Sequence, residues 1–126
     1  MPVNENDFLN STINSFNSGS EIDYRNAISR SYYAVYHKSL SLLDSLPNFN
    51  SSHHAGLINY LSTSECAKHE GYNESTLKEI SRLLKVMRKA RNDADYNLDS
   101  VITKNTSIGQ FSCCRQLNEL WTSASK

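Results

Sequence analysis

Apolar side chains recur along this chain at three- and four-residue steps, the period of one face of an α-helix, in stretches separated by polar and turn-forming residues. Phe8, Leu9, Ile13 and Phe16 predict a short amphipathic helix, preceded by Asn and Asp residues able to cap it. Asn17-Ser18-Gly19-Ser20 then breaks the pattern, and a longer helix follows from about Ile22 to Ser45, before the Leu46-Pro47 step that disfavours continuation. Its core row is Ile28, Tyr32, Val35, Leu42, Leu43 and Leu46. The segment from Asn48 to Gly71 is polar and interrupted, with a brief apolar period at Leu57, Ile58 and Leu61 that predicts one minor helix in an otherwise solvated loop. Glu74, Ser75 and Thr76 open a long helix whose stripe is Leu77, Ile80, Leu84, Met87 and Ala94, and turn formers between Asn97 and Ser107 end it. A last helix presents Ile108, Phe111, Cys114, Leu117, Leu120 and Trp121 to the core.

Composition narrows the fold further. With four Gly and two Pro, both Pro before residue 48, most of the chain is free to be helical, so an all-α fold is expected. A length of 126 residues suits one domain, 1–126, with one core and no need of disulfides or a structural metal. The three cysteines are an odd number and Cys113 and Cys114 are adjacent, which argues against a disulfide framework and for a reducing compartment. No charged-then-apolar leader and no apolar run approaching 18 residues is present, so a cytoplasmic protein without a membrane partner is expected.

Formal net charge is zero, and any nucleic-acid partner must therefore be recognised by local clustering. The long helix provides such clustering. Lys78, Arg82, Lys85, Arg88 and Lys89 make it basic, and Asp93, Asp95 and Asp99 then reverse the sign. Lys85, Arg88 and Lys89 fall on neighbouring helical positions, which fits either a phosphate track or a solvated face. Arg91 stands on the apolar stripe itself, four residues after Met87 and three before Ala94, where a permanent charge is costly without partners. Asp95, one turn on, is the local anion; the alternative is an arginine snorkelling from the core edge to water. Arg91, Asn92, Asp93, Asp95 and Tyr96 thus form a polar cluster at the end of a basic helix.

On the preceding long helix a second row, displaced from the core row, carries Arg30, Tyr33 and His37. These could line one wall of a polar pocket, or the tyrosines of this helix could be core and rim aromatics and His37 a satisfied structural residue. His53, His54, Cys66 and His69 are metal-ligand types, but their spacing matches no structural zinc pattern, so neither a metal nor another cofactor is expected. Cys113 and Cys114 have only Arg115 as a nearby cation and read as core thiols.

Two stretches together carry a resemblance. Ser29-Arg30-Ser31-Tyr32-Tyr33-Ala34-Val35-Tyr36-His37, followed some fifty residues later by Arg91-Asn92-Asp93-Ala94-Asp95-Tyr96, resembles the HEPN superfamily, and more narrowly its small prokaryotic members with S-R-x-Y-Y-A-x-(F/Y)-H and R-x-x-A-D-Y motifs. The resemblance implies an up-and-down bundle of four or five helices, paired as a homodimer, with the later motif near the dimer cleft. Many members are metal-independent ribonucleases whose signature is an Arg, a polar residue, and a His after four to six intervening residues. Arg91 and Asn92 match its start. At its end no His follows, and Tyr96 stands where the His would be.

That departure has chemical weight, because metal-free RNA cleavage needs proton transfer at neutral pH, for which histidine is suited and tyrosine is not. Arg91 can still contact phosphate oxygens in bidentate fashion, and His37 can restore the proton chemistry if the two motif helices pack side by side. Two functional classes follow from the resemblance. One is a ribonuclease toxin or defence effector with Arg91 as phosphate clamp and Asn92, Asp95, Tyr96 or His37 in supporting or proton-transfer roles. The other is a non-catalytic module that binds RNA, a nucleotide, an antitoxin or another protein partner through the same cleft, with Arg91, Asp95 and Tyr96 as a structural network; a purely dimeric scaffold is the third possibility, and Arg30, Tyr33, Lys85, Arg88 and Lys89 are the candidate binding residues.

Overall fold

The computed structural model describes residues 20–44, 46–47, 53–99 and 101–124; the helix expected at Phe8–Phe16 lies outside them. The described residues form helices and no strand: α1 (Glu21–Ser41), α2 (His53–Leu61), α3 (Ser64–Glu70), α4 (Glu74–Tyr96) and α5 (Lys104–Ser123). The chain is an all-α helical bundle. None of these helices is long and apolar enough to cross a membrane.

The starts of α1, α3, α4 and α5 are each marked by a side-chain oxygen that takes up an otherwise unpaired first-turn amide. Ser20 accepts from the Asp23 amide, Thr63 from Cys66, Asn73 from Thr76 and Thr103 from Thr106. Gly71 ends α3 with φ 77°, a left-handed conformation that costs a residue without Cβ nothing. Thr63 and Gly71 thus bracket a helix where a loop was expected. The Thr103 cap likewise starts α5 one turn before Ile108, inside the segment read as turn, and leaves Ile108 itself exposed. α1 stops at Ser41 rather than Ser45. There the Leu42 amide bonds back to Lys38 and Ser39, and the Asp44 amide donates to the buried Glu70 carboxylate (2.8 Å), a stronger acceptor than a further helical carbonyl.

The three long helices pack on one another, and α2 and α3 pack on α4. Leu77, Ile80, Leu84, Met87 and Ala94 are all buried, as are Ile28, Tyr32, Val35 and Leu43 of α1 and Cys114, Leu117 and Trp121 of α5. Burial pushes the Cys114 thiol up to about 12 and the Cys66 thiol up to about 11, so both remain protonated packing groups at neutral pH. Polar side chains join the layers. Gln110 donates from α5 to the Met87 carbonyl (2.9 Å) and the Ile28 carbonyl (3.4 Å), and Trp121 Nε1 donates to Ser39 Oγ (3.0 Å). Tyr32 and Tyr36 of α1 are buried among these helices, and Tyr33 is partly buried.

Candidate functional site

Arg91 leaves the buried stripe of α4 and turns its guanidinium along the helix end toward α1. It is 8% exposed. Nε donates to Asp95 Oδ2 at 3.0 Å, Nη1 to Asn92 Oδ1 at 3.1 Å, and Nη2 to the hydroxyls of Tyr96 (3.1 Å) and Tyr33. The rings close around the charge, with the guanidinium carbon 5.0 Å from the Tyr33 centroid, 5.2 Å from Tyr96 and 5.9 Å from Tyr32, distances at which cation–π attraction operates. Ser29 Oγ donates to the same Asp95 oxygen at 3.2 Å. The two motif helices meet here: Ser29, Tyr32 and Tyr33 come from α1 and Arg91, Asn92, Asp95 and Tyr96 from α4. Arg91 does not snorkel to water.

The other residues singled out from the sequence fall into two groups. Arg30 is exposed and is not among the partners of Arg91. His37 is exposed too, its ring stacked on Tyr33 at 6.2 Å and set edgewise to Tyr36 at 5.3 Å, one ring removed from the guanidinium. Lys85, Arg88, Lys89 and Asn92, with Val86, line an open hollow on α4. Lys89 and Asp93 approach to 3.8 Å, but Lys89 is exposed and Asp93 partly so, and such a surface pair contributes little.

His54 was assigned to a solvated loop by the sequence and is instead part of the cluster. Its Nδ1 lies 2.7 Å from the Tyr32 hydroxyl, and its ring sits 4.2 Å from that of Tyr36. The signal was legible, since His54 precedes Leu57, Ile58 and Leu61 by three, four and seven residues and so stands on the apolar face of α2. Burial, then the positive charges of Arg91 and Arg88, hold the imidazole well below its ordinary range, at about 4. Burial likewise pushes the Tyr32 hydroxyl above the usual phenol range. No group of three or more His, Cys, Asp or Glu among the described residues is placed to hold a metal ion.

No protein-family model, curated protein or solved structure matches the chain.

A second buried arginine shapes the site without touching it. Arg25 Nη1 donates to the carbonyls of Asp93 (3.3 Å), Ala94 (3.0 Å) and Asn97 (3.1 Å), and Nη2 reaches that of Leu98 (3.5 Å). The Asp93 carbonyl also accepts the Asn97 amide at 3.2 Å, whereas those of Ala94, Asn97 and Leu98 lie at or beyond the helix end, and a cation there also meets the negative end of the helix dipole. Glu21 lies 3.7 Å from Arg25 and accepts from the Ile102 amide, tying the α4–α5 connection to the same point. Arg25 stands three residues before Ile28 on the core row of α1, the same out-of-place charge that marked Arg91.

The depressed His54 pKa has a definite pH consequence. Above pH 6.5 the imidazole is neutral in both folded and unfolded chains; as pH falls from there toward 4 the unfolded chain takes the proton first. Stability is therefore expected to decline over that window through this group, and His54→Gln is expected to flatten the decline. Urea midpoints at pH 7.0, 5.5 and 4.5 check this, and parallel pH slopes for the two proteins would show that His54 is not desolvated.

Proposed function

We propose that this chain is an RNA-directed domain of HEPN type, binding single-stranded RNA across the cationic face of α4 while Arg91 serves as the buried hub that holds that face in shape. The supporting observation is a row on one helix face: Lys85, Lys89, Asn92 and Tyr96 follow one another at steps of four, three and four residues, with Arg88 beside them around the hollow. The Tyr96 ring is 70% exposed. Cations at this spacing suit successive phosphates, and an exposed ring next to them suits a stacked base, which a single strand can offer and a duplex cannot.

Binding is favoured over cleavage by the state of the two groups that chemistry would need. Four of the five guanidinium N–H groups of Arg91 are engaged, so a phosphate gripping it at two points would have to displace Asn92 or the Tyr33 and Tyr96 hydroxyls. His54, with its pKa near 4, is too weak a base to take a 2′-hydroxyl proton efficiently at neutral pH. A metal-independent endoribonuclease acting as a toxin or defence effector is the second reading. It is favoured by one observation: an arginine and an imidazole are gathered at this place although no histidine follows Arg91 in sequence.

The test is one experiment with two readouts. Labelled single-stranded RNA is titrated with protein at several salt concentrations, and the same samples are resolved by length. Three phosphate contacts, by Lys85, Arg88 and Lys89, predict a log–log salt slope of about −2, from roughly −0.7 per contact, which falls toward −1 when two of the three are replaced by Ala. Intact RNA at excess protein is expected. Cleavage that disappears in Arg91→Lys would instead establish the ribonuclease, and binding insensitive to salt would remove the phosphate track.

A homodimer belongs to the same proposal. Its support is the exposure of Leu98 and Val101 in the α4–α5 connection, beside Tyr96, which leaves large apolar side chains in water next to the site. Static light scattering at tens of micromolar is expected to give twice the chain mass, and a single-chain mass would remove the shared cleft.

A further inference from the structure

We propose that His54 is a fixed hydrogen-bond donor in an anion subsite where α1, α2 and α4 meet, presenting Nε2–H to a non-bridging oxygen of a phosphate. This deepens the RNA-binding reading and rests on it for the source of the phosphate. The Tyr32 side chain is fully buried and its hydroxyl lies 2.7 Å from His54 Nδ1, with the hydroxyl taken as the donor of this bond. A neutral imidazole whose Nδ1 accepts carries its own proton on Nε2, so the ring's second nitrogen is a donor and has no lone pair to act as a base. The Tyr36 ring, 4.2 Å from the imidazole and tilted by 31°, keeps the plane from turning.

The charged groups that act on this donor are positive. From α4, Arg88 and Arg91 both act on the imidazole; from α1 it meets Tyr32, Tyr33, Tyr36 and His37; from α2, His53. The Asp95 carboxylate is tied to Arg91 Nε and Ser29 Oγ. Two guanidinium groups acting on a neutral imidazole form a setting in which a phosphate is attracted and a proton is not. Burial and the two guanidinium charges hold the imidazole neutral, so the donor persists through the physiological range.

Long-range proton–nitrogen correlation spectra of the full chain at pH 7 are expected to show the Nε2–H tautomer at His54. Titration with inorganic phosphate, against chloride at equal ionic strength, is expected to move the His54 Nε2 resonance. In RNA binding, His54→Gln places an amide donor near Nε2 and is expected to stay within about threefold of wild type, whereas His54→Asn places its amide near Nδ1 and is expected to weaken binding roughly tenfold or more. An Nδ1–H tautomer, an imidazolium at pH 7, or an Nε2 resonance indifferent to phosphate would each overturn the subsite. If RNA binds and both variants match wild type, the subsite fails while the RNA reading stands. If phosphate moves Nε2 and no RNA binds, the subsite stands and the RNA reading fails.

Discussion

Arg91→Ala is expected to lower the free energy of unfolding by about 3 kcal/mol and the melting temperature by roughly 10–15 °C. The substitution removes four side-chain hydrogen bonds at once and leaves Asp95, whose side chain is 26% exposed, with Ser29 as its remaining described partner. Breaking a buried pair by deleting one member costs about 3–5 kcal/mol, and the partial exposure of Asp95, which can regain water, places this case at the low end. Arg91→Lys keeps a charge for Asp95 but cannot reach Asn92, Tyr33 and Tyr96 from one ammonium in the same plane, so it should recover only part of the loss. A double-mutant cycle with Asp95→Asn, followed by urea unfolding, is expected to show a coupling of about 1–3 kcal/mol. An Arg91→Ala protein that melts within about 2 °C of wild type and loses RNA binding would mean that the guanidinium is held for a ligand rather than for the fold.

Arg25→Ala is expected to cost about 2 kcal/mol, combining the lost helix-end charge with carbonyls left short of a donor. Its effect should be local as well as global. The last turn of α4 carries Asp95 and Tyr96, and without the guanidinium the Ala94 and Asn97 carbonyls lose their described side-chain donor, while Asp93 keeps the Asn97 amide. Hydrogen exchange is therefore expected to speed up at the amides of residues 94–98 more than at those of residues 80–87 in the middle of the helix. Arg25→Lys should restore some stability through charge, while Arg25→Met keeps the apolar stem and should restore little. A Met variant as stable as wild type would show that packing of the stem, not capping, is what Arg25 contributes. Because the turn holds two partners of Arg91, weakened RNA binding in Arg25→Ala without any contact to RNA is part of the expectation.

The local content of the sequence was enough to determine the fold class, the core face of α4 and the cost of Arg91. Spacing at three and four residues marks which side of a helix is buried whatever it packs against, and Leu77, Ile80, Leu84, Met87 and Ala94 are all inside. An arginine on such a stripe must be paired, and the pairing with Asp95 one turn on is a short-range matter that the sequence contains. Helix ends were less legible. Thr63 caps a helix that its weak apolar period did not announce, Thr103 starts α5 a turn before the first residue of its apolar period, and α1 ends early because Glu70, from a different helix, takes the Asp44 amide.

Tertiary structure alone decided who stands around Arg91. Tyr33 and Tyr32 come from a helix 58 and 59 residues away in sequence, and His54 from a segment whose polarity suggested a loop. The same histidine on an exposed turn would keep its ordinary affinity for protons. Packed beneath Tyr36, bonded to a buried hydroxyl and faced by two guanidinium groups, it is held neutral. Periodicity records what each helix hides, because burial is repeated along one element. The direction in which a charge or a proton is favoured depends on groups that different elements bring within a few ångströms of one another, and that is set only when the helices pack.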